Sequence, residues 1–410
     1  GISAARAGAK TLVVEYLDKL GGVSTSGLIG IYYFGNLNGF TAEVDAAVRA
    51  MGPRALEPKS DGTGVWNIGY RSEWFRKELR KAGGDLWIAS LGCGALVEDG
   101  KLKGVVVATP HGRGVVLADV VVDSTGSSDI AIAAGADYRY TGAENAAVQG
   151  TGLPFRNIYT IGKHRIRWYA NTDYIFVEDT DMLDVWRAFV GAREKFKDHY
   201  DLAYLIDTRE RRRIVGDFTV SPVDILTRRT YDDSIVLSRS NFDSHGFTVH
   251  PVFMLYPPDK SIKLAYTPFR ALLPRDLKGI MVTGLGISAH RDAMPILRMQ
   301  PCIQNQGYAV GLIASDAVKR SKPLRDVDID AVQKKLVEKG CLPPEALNHR
   351  DSFPLSRERI RQAVQAVKHN WQDLAFVLAQ PNDSVPMMRQ EYKTTDNKDQ
   401  KLIYAQILGM

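Results

Sequence analysis

Cysteine is scarce in this sequence. The 410 residues contain three, Cys93, Cys302 and Cys341, each far from the others. That spacing excludes a C-x-x-C redox pair and a cysteine-built zinc site, and it gives no disulfide framework. No run of about 18 apolar residues occurs, which excludes a membrane-spanning helix within this stretch. Charge of one sign is not concentrated either. The 53 Lys and Arg against 47 Asp and Glu leave a net charge of +6, and the densest basic run, Arg209–Arg213, contains Glu210. A mildly basic surface accounts for this balance, and such dilute charge argues against nucleic acid as a partner. A complete G-x-G-x-x-G fingerprint is also missing. Gly284-x-Gly286 begins like one, but His290 stands in the neighbourhood of the third glycine, so no complete dinucleotide motif is present. What remains, 45% hydrophobic and 24% charged residues, is an ordinary globular composition with length for two or three domains.

The stretch "GISAARAGAKTLVVE" carries the first positive signal. A small-residue helical segment ends at Gly8, a β-branched run follows over Thr11–Val14, and Glu15 closes it. Helix, strand and terminal acid in this order belong to a nucleotide-binding unit, and its first strand and glycine loop are expected upstream of Gly1. If Gly1 is the packing glycine that follows such a loop, Glu15 lies roughly 18 residues past the last fingerprint glycine, close to the spacing of about 20 for an acid that accepts hydrogen bonds from a ribose. "LGGVSTSGLIG" (Leu20–Gly30) follows at once. Its glycines and small hydroxyl residues let backbone amides approach phosphate or ribose without obstruction.

Two later stretches read the same way. Ala95–Glu98 and Leu102–Ala108 flank an Asp99-Gly100 turn, and Val115–Asp123 is expected as one strand after a Gly112–Gly114 turn. Ser124-Thr125-Gly126 and a small-residue helix come next. Further on, a buried strand over Gly279–Thr283 runs into a glycine turn. Pro301 then sits where a helix begins, and Gln304–Ala317 has helical composition.

Six motifs in order resemble the FAD-dependent oxidoreductases of the glutathione-reductase-like superfamily, nearest to a bacterial group sometimes mislabelled xanthan lyase. They are Ala5–Glu15, Gly21–Gly27, Asp123–Ala136, Arg209–Asp217, Ile287–His290 and Arg298–Gly311, and the resemblance spans roughly residues 1–340. It implies an α/β fold: a Rossmann-like FAD-binding domain assembled from 1–50, 66–150 and 275–322, an α+β substrate insertion at 151–274, and a helical region at 323–410. It implies that Glu15 binds the adenosine ribose and that Gly21, Gly22 and Ser26 lie along the cofactor. Thr125 and Gly126 would pass the phosphates, and the helix after Pro301 would point at the flavin pyrimidine edge. Gly1, Asp129, Gly286, Arg298 and Cys302 fall in the same cofactor-side motifs. One departure is Ser127-Ser128, where the family often has Gly-Asp.

The remaining segments bear on substrate and tail. Gly52–Gly64 reads as a Pro/Gly-rich loop. The insertion shows aromatic-rich strands (Trp168, Tyr169, Tyr174, Phe176) and a helix near Asp184–Phe196. "DVDIDAVQKKLVEKGCL" and "SRERIRQAVQAVKHNWQDLAFVLAQ" read as amphipathic helices, the second with Ser356 and Glu358 as start signals. "DQKLIYAQILGM" begins another, as in a HEAT-type helical array. A flavin enzyme needs a base for the proton that accompanies hydride transfer, and His245 and His290 are the candidates. The plain alternative for either is a hydrogen-bonded loop histidine. Arg212 and Arg213 are read as a clamp for an anionic or hydroxyl-rich substrate, or else as ion-pair partners of Glu210, Asp217 or Asp224. Cys302 is a redox thiol or, more simply, a buried small residue. The expected function is an FAD-dependent dehydrogenase or oxidase of a small hydroxylated or amine-bearing molecule, with sugar-derived molecules among the candidates. The competing readings are a flavoprotein-like scaffold with a partner-binding helical tail and a tRNA-modifying flavoenzyme. Electron acceptor, oligomeric state and compartment stay open, and no metal site is expected.

Overall fold

A computed structural model describes residues 1–52, 66–141, 155–161, 164–168, 177–178, 181–195, 197, 201–202, 209, 211–371 and 373–410. The first helix, α1 (Ile2–Arg6), leads into strand β1 (Leu12–Glu15), as the opening of the sequence suggests. Gly1 is needed there for packing, since a Cβ would lie 2.4 Å from Val13 Cγ2. Helices α2 (Phe40–Ala50) and α3 (Ile68–Lys81) follow, the latter capped by Asn67, whose side chain accepts from the Gly69 and Tyr70 amides. Strand β2 (Asp85–Ile88) then pairs in parallel with β1, Leu12 opposite Asp85 and Glu15 opposite Ile88.

The meander β3 (Leu91–Glu98), β4 (Lys101–Thr109) and β5 (Gly112–Leu117) is antiparallel, with its first turn at Asp99-Gly100. Two expectations are corrected here. Gly112 and Gly114 lie inside β5, and the turn falls at Pro110-His111. Val115–Asp123 is two strands in different sheets: β5 ends at Leu117, and β6 (Val121–Asp123) pairs in parallel with a distant strand. The cause is visible at the joint, where the Val121 amide donates to Gly279 O at 2.9 Å.

The chain continues through α4 (Asp129–Ala133), β7 (Tyr138–Arg139), β8 (Phe155–Ile161), β9 (His164–Trp168), α5 (Met182–Lys195), β10 (Asp201–Leu202) and β11 (Arg213–Ile214). Trp168 ends β9, whereas Tyr169, Tyr174, Phe176, Phe196, Glu210 and most of the Gly52–Gly64 loop lie outside the described residues. Next come α6 (Pro222–Leu226), β12 (Ser234–Ser240), α7 (Pro251–Leu255) and β13 (Lys263–Pro268), with β12 and β13 antiparallel. Strand β14 (Ile280–Val282) is the parallel partner of β6. Its three side chains are fully buried, the unbroken apolar run of a strand covered on both faces. Short α8 (Met294–Leu297) precedes the 20-residue α9 (Gln300–Lys319), with Pro301 in its first turn.

The tail contains α10 (Ile329–Lys339), α11 (Arg357–Asn370), α12 (Leu374–Ala379), α13 (Pro381–Thr394) and α14 (Lys398–Leu408). Asp328, Ser356 and Asn397 cap α10, α11 and α14 through their side chains. The stretch after Ser356, expected as one helix, is two, because Trp371 adopts φ 61° and ends α11. These helices share one apolar core with α9, β12 and α2, running from Tyr32 to Ile407. Asp351 fastens the tail further: it accepts from Arg229 Nε and Nη2 at 2.9 Å each and from Arg270 Nη2 at 2.9 Å.

Helix α9 packs on α1 so closely that only glycine fits at position 311. A Cβ there would lie 1.9 Å from Ser3 Oγ and 2.9 Å from the Ala4 amide nitrogen. The same helix offers a control at Gly307, where an added Cβ meets nothing within 4 Å. Gly311→Ala is therefore expected to destabilise the fold by about 1–3 kcal/mol through overpacking. Gly307→Ala should be neutral or stabilising by up to about 1 kcal/mol. Urea unfolding of both variants checks the pair, and equal effects would contradict this packing.

Candidate functional site

In open parallel sheets, ligands bind beyond the carboxyl ends of the strands. Three strands end here in polar turns: β1 at Glu15, β6 at Asp123, and β14 at Thr283-Gly284. Asp123, almost fully buried, builds the second turn. Its Oδ1 accepts from the Thr125 amide at 3.0 Å and hydroxyl at 2.7 Å, and its Oδ2 accepts from the Ile130 and Ala131 amides at 3.0 and 2.9 Å. Thr125 Oγ1 in turn accepts from the Asp129 amide at 3.0 Å. Ser124 Oγ and Thr283 Oγ1, 3.0 Å apart, join this turn to the one after β14, whose Gly284 amide donates to Gln306 Oε1 at 2.7 Å.

The first turn is the loop after Glu15. Gly21 and Gly22 take positive φ, the Ser24 hydroxyl donates to Gly21 O at 2.7 Å, and the Thr25 hydroxyl donates to Leu20 O at 2.7 Å. Trp66 holds the far side through its ring N–H to Ser24 O at 2.9 Å and its amide to Gly30 O at 3.0 Å. Behind Trp66 lies Arg71, wholly buried, with its guanidinium 4.0 Å from the indole centroid. Arg71 donates to Asp45 at 3.1 Å and makes a short bond to the Tyr32 hydroxyl. Burial pushes the Tyr32 phenol far up, so it stays protonated and can pass a hydrogen bond to Asp45 at 3.0 Å. This set was not legible in the sequence. Trp66 before the helix and Arg71 in its first turns carry no signal in the sequence that the arginine will face inward.

These turns fit a dinucleotide on their own geometry. At Gly22, Gly126 and Gly284, one in each turn, an added Cβ would meet nothing within 4 Å, so the backbone borders open space on all three. Two buried oxygens beside them, Ser26 Oγ and Gln300 Oε1, have no hydrogen-bond partner, which in a native interior points to a missing ligand or water. Glu15 stands at the end of β1. Burial pushes its carboxyl up, the Leu17 and Tyr16 amides partly offset this, and Oε1 accepts from the Leu17 amide at 3.0 Å.

Cys302, Gly286, Arg298 and Arg212, also singled out in the sequence, have the following partners. Cys302 is buried in the core, where burial raises its thiol out of the reactive range, and Ser238 and the Asn36 and Arg239 backbone face it. Gly286 is a packing glycine, with a would-be Cβ 2.4 Å from Ser128 Oγ. Arg298 donates to Asp243 O at 2.9 Å and lies 3.4 Å from its carboxylate. Arg212 binds the turn after β6: Nη2 is 2.5 Å from Asp129 Oδ1, and Nε donates to Ser127 Oγ at 3.2 Å. Its ion-pair partner is thus Asp129. Asp217 is taken by Arg325 and Asp224 by Arg229.

The histidines divide into two settings. His245 Nε2 lies 3.3 Å from the Asp243 carboxylate. Burial pushes Asp243 up, but His245, Arg298 and Arg209 together hold it below the usual range, as a carboxylate. His290 and His250 face each other with ring centroids 5.0 Å apart. His290 Nδ1 accepts from the Asp292 amide at 3.1 Å, and His250 Nδ1 accepts from the Val252 amide at 3.2 Å. Both rings therefore carry their proton on Nε2 and act as donors. Asp292, buried, accepts from the Val249 and His250 amides at 2.7 Å each and so ties the two segments together. Asp243 and Asp292 were missed in the sequence, although D-x-H and H-x-D spacings mark them. Among the described residues, no group of three or more His, Cys, Asp or Glu is placed to hold a metal ion.

Burial lowers the proton affinity of both His250 and His290. At His290, the neighbouring His250, Arg213 and Arg291 add to this, and Asp292 only partly offsets it. A histidine with a depressed folded-state pKa is protonated first in the unfolded chain, so stability falls as pH drops below the ordinary histidine value. Unfolding free energy, measured in urea from roughly pH 6.5 to 5.5, above the carboxylate range, is expected to decline. His290→Gln should flatten that decline, and an unchanged slope would refute the assignment.

The comparisons with known proteins come from three directions. No curated protein matches significantly. Among solved structures, the chain is similar to a geranylgeranyl bacteriochlorophyll reductase-like protein from Thermoplasma acidophilum, at TM-score 0.43 and 14% identity, covering 99% of this chain and 95% of that one. It is similar to the anhydrotetracycline hydroxylase OxyS from Streptomyces rimosus, at TM-score 0.41 and 11% identity, covering 100% and 72%. It is also similar to glycine oxidase from Bacillus cereus, at TM-score 0.34 and 12% identity, covering 77% and 94%. Among the described residues, no helix is long and apolar enough to cross a membrane. The family model for FAD dependent oxidoreductases matches residues 1–203 and 183–336. With that match over most of the chain, and with strand ends shaped for a dinucleotide, the chain belongs to the FAD-dependent oxidoreductase family: an enzyme of α/β fold with FAD as its cofactor.

Proposed function

We propose that this enzyme is a dehydrogenase or oxidase that removes a hydride from a carbon bearing a hydroxyl or amine on a small, sugar-like molecule. In this reading, residues 1–50, 66–150 and 275–322 hold the cofactor, 151–274 cover it, and 323–410 buttress it. Bound FAD supplies the hydride acceptor. Glu15 receives the ribose hydroxyls, Gly21, Gly22 and Ser26 border the cofactor, and the Thr125-Gly126 turn lies along the phosphates. The Arg212–Asp129 pair fixes that turn.

The observation that carries the chemistry is the His245–Asp243 pair, 3.3 Å apart. Loss of hydride from a carbinol or amine carbon leaves a proton on oxygen or nitrogen. His245 takes it, and the Asp243 carboxylate orients the ring. His290 suits the role less well: its Nδ1 is occupied and its basicity is low, so it serves as an Nε2–H donor to substrate oxygen. Arg298 steadies Asp243 from behind.

A panel of polyols, hydroxy acids and amines that bleach the flavin of the full-length protein provides the assay. His245→Ala should then slow single-turnover flavin reduction by about 10²–10⁴-fold with FAD retained, and Asp243→Asn should slow it less. A full rate in both variants would remove the pair from the mechanism. Glu15→Ala should weaken FAD binding roughly ten-fold or more, the worth of a charged hydrogen bond. An unchanged affinity in a fluorescence titration would contradict the ribose assignment.

A further inference from the structure

The meander β3–β4–β5 has two edge strands, and they differ. On β3, Cys93 is an extra residue between Gly92 and Gly94, a bulge of the kind that keeps an edge from pairing. The β4–β5 ladder runs without a shift from Gly104 opposite Leu117 to Thr109 opposite Gly112. Strand β5 is thus a regular edge, and its sequence holds neither proline nor lysine. Among the described residues, no strand other than β4 pairs with it.

The ladder also fixes which backbone groups are free. The Ala118 amide donates to Lys103 O at 2.9 Å, so Ala118, Val116, Gly114 and Gly112 are the positions bonded to β4. Arg113, Val115 and Leu117 alternate with them and turn their N–H and C=O outward. The side chains of these three share one face of the sheet, where Val115 is 50% and Leu117 73% exposed. Val106 lies opposite Val115, Gly104 opposite Leu117 and Gly94 opposite Val106. The face is therefore flat and apolar, where a solvent-facing side of an antiparallel sheet normally carries polar residues.

A second copy of β5 complements this edge in one register. With antiparallel pairing about Val116, Val115 lies opposite Leu117 of the second copy and Arg113 falls level with its Asp119, each pair occurring twice. An axis at Val115 would set Arg113 against Leu117, and one at Leu117 would set Val115 against Asp119. Arg113 and Asp119 are exposed, and neither has an ion-pair partner among the described residues. Apolar and opposite-charge pairs directly across two strands are the contacts that stabilise a sheet. We propose that two copies of this chain join β5 to β5 about a two-fold axis at Val116, making one six-stranded sheet. This goes beyond the flavin chemistry and depends on neither cofactor nor substrate.

Sedimentation of the full-length protein at micromolar concentration tests it, and wild type should be a dimer. Arg113→Asp and Asp119→Arg each place like charges opposite one another twice, and each should weaken the dimer about ten-fold. The double variant reverses both pairs and should recover affinity close to wild type. Val115→Pro removes an outward N–H and no bond to β4, so it should give a monomer that circular dichroism shows to be folded. Should that variant unfold, the charge reversals decide alone, since both positions are on the surface. A monomeric wild type, a dimer indifferent to both single reversals, or a double variant no tighter than the singles would overturn the proposal.

Discussion

The arrangement of the site depends on one buried carboxylate. Asp123 ends β6, and its two oxygens take four hydrogen bonds from the turn and helix that follow, while its backbone carbonyl accepts from the Thr283 amide at 2.9 Å. Burying an ionised carboxyl is costly unless its lone pairs are satisfied. Satisfying them here requires the chain to curl through Gly126 and Ser128, both at positive φ, and to start α4 at once. The backbone strain at Ser128 is thereby tied to the charge at Asp123. The turn after β14 is then placed through Ser124 and Thr283, and Arg212 closes over the outside through Asp129. A loop that must pass a nucleotide closely gains rigidity from an anion inside the protein rather than from apolar packing.

Helix α9 carries this local order to the rest of the chain. Its amino end meets the loop after β1, with Gly35 against Pro301, and its middle takes α1 at Gly311. Asn305 reaches the carbonyls of Asn36 and Asn38 at 3.3 and 3.1 Å. The same helix faces β6, β12 and α10, so the loop after β1, these strands and the tail all rest on one element. A shift at any of them is felt at the first turn of α9. The Asp351–Arg229–Arg270 cluster secures the tail against Phe218, Tyr231 and Phe353, which places the helical region inside the apolar core that backs the site.

The parts legible in the sequence were those set by local chemistry. The small residues up to Gly8, the β-branched run and Glu15 signalled a helix and then a strand end, and the glycines after Leu20 signalled a tight loop. Ser356 announced a helix start by capping. What stayed hidden depends on partners distant in sequence. Nothing in Val115–Asp123 indicates that Val121 will leave the meander for β14, since both halves are equally β-prone. The amphipathic pattern after Ser356 continues across Trp371 although the backbone turns there. For Arg212 the sequence offered nearby acids as ion-pair partners, whereas its partner Asp129 lies 83 residues away.

The histidines show the same limit at the level of single atoms. In sequence, His245 and His290 are equivalent: each sits in a loop two residues from an aspartate. Their difference lies in which atom of that aspartate reaches the ring. Asp243 presents its carboxylate to Nε2 of His245 and so orients the ring through a side chain. Asp292 turns its carboxylate to the Val249 and His250 amides, 4.0 Å from His290 Nδ1, and hydrogen-bonds His290 through its backbone N–H, which occupies Nδ1 and leaves the ring a donor. One spacing thus yields opposite chemistry, decided by whether an amide or a carboxylate faces the imidazole.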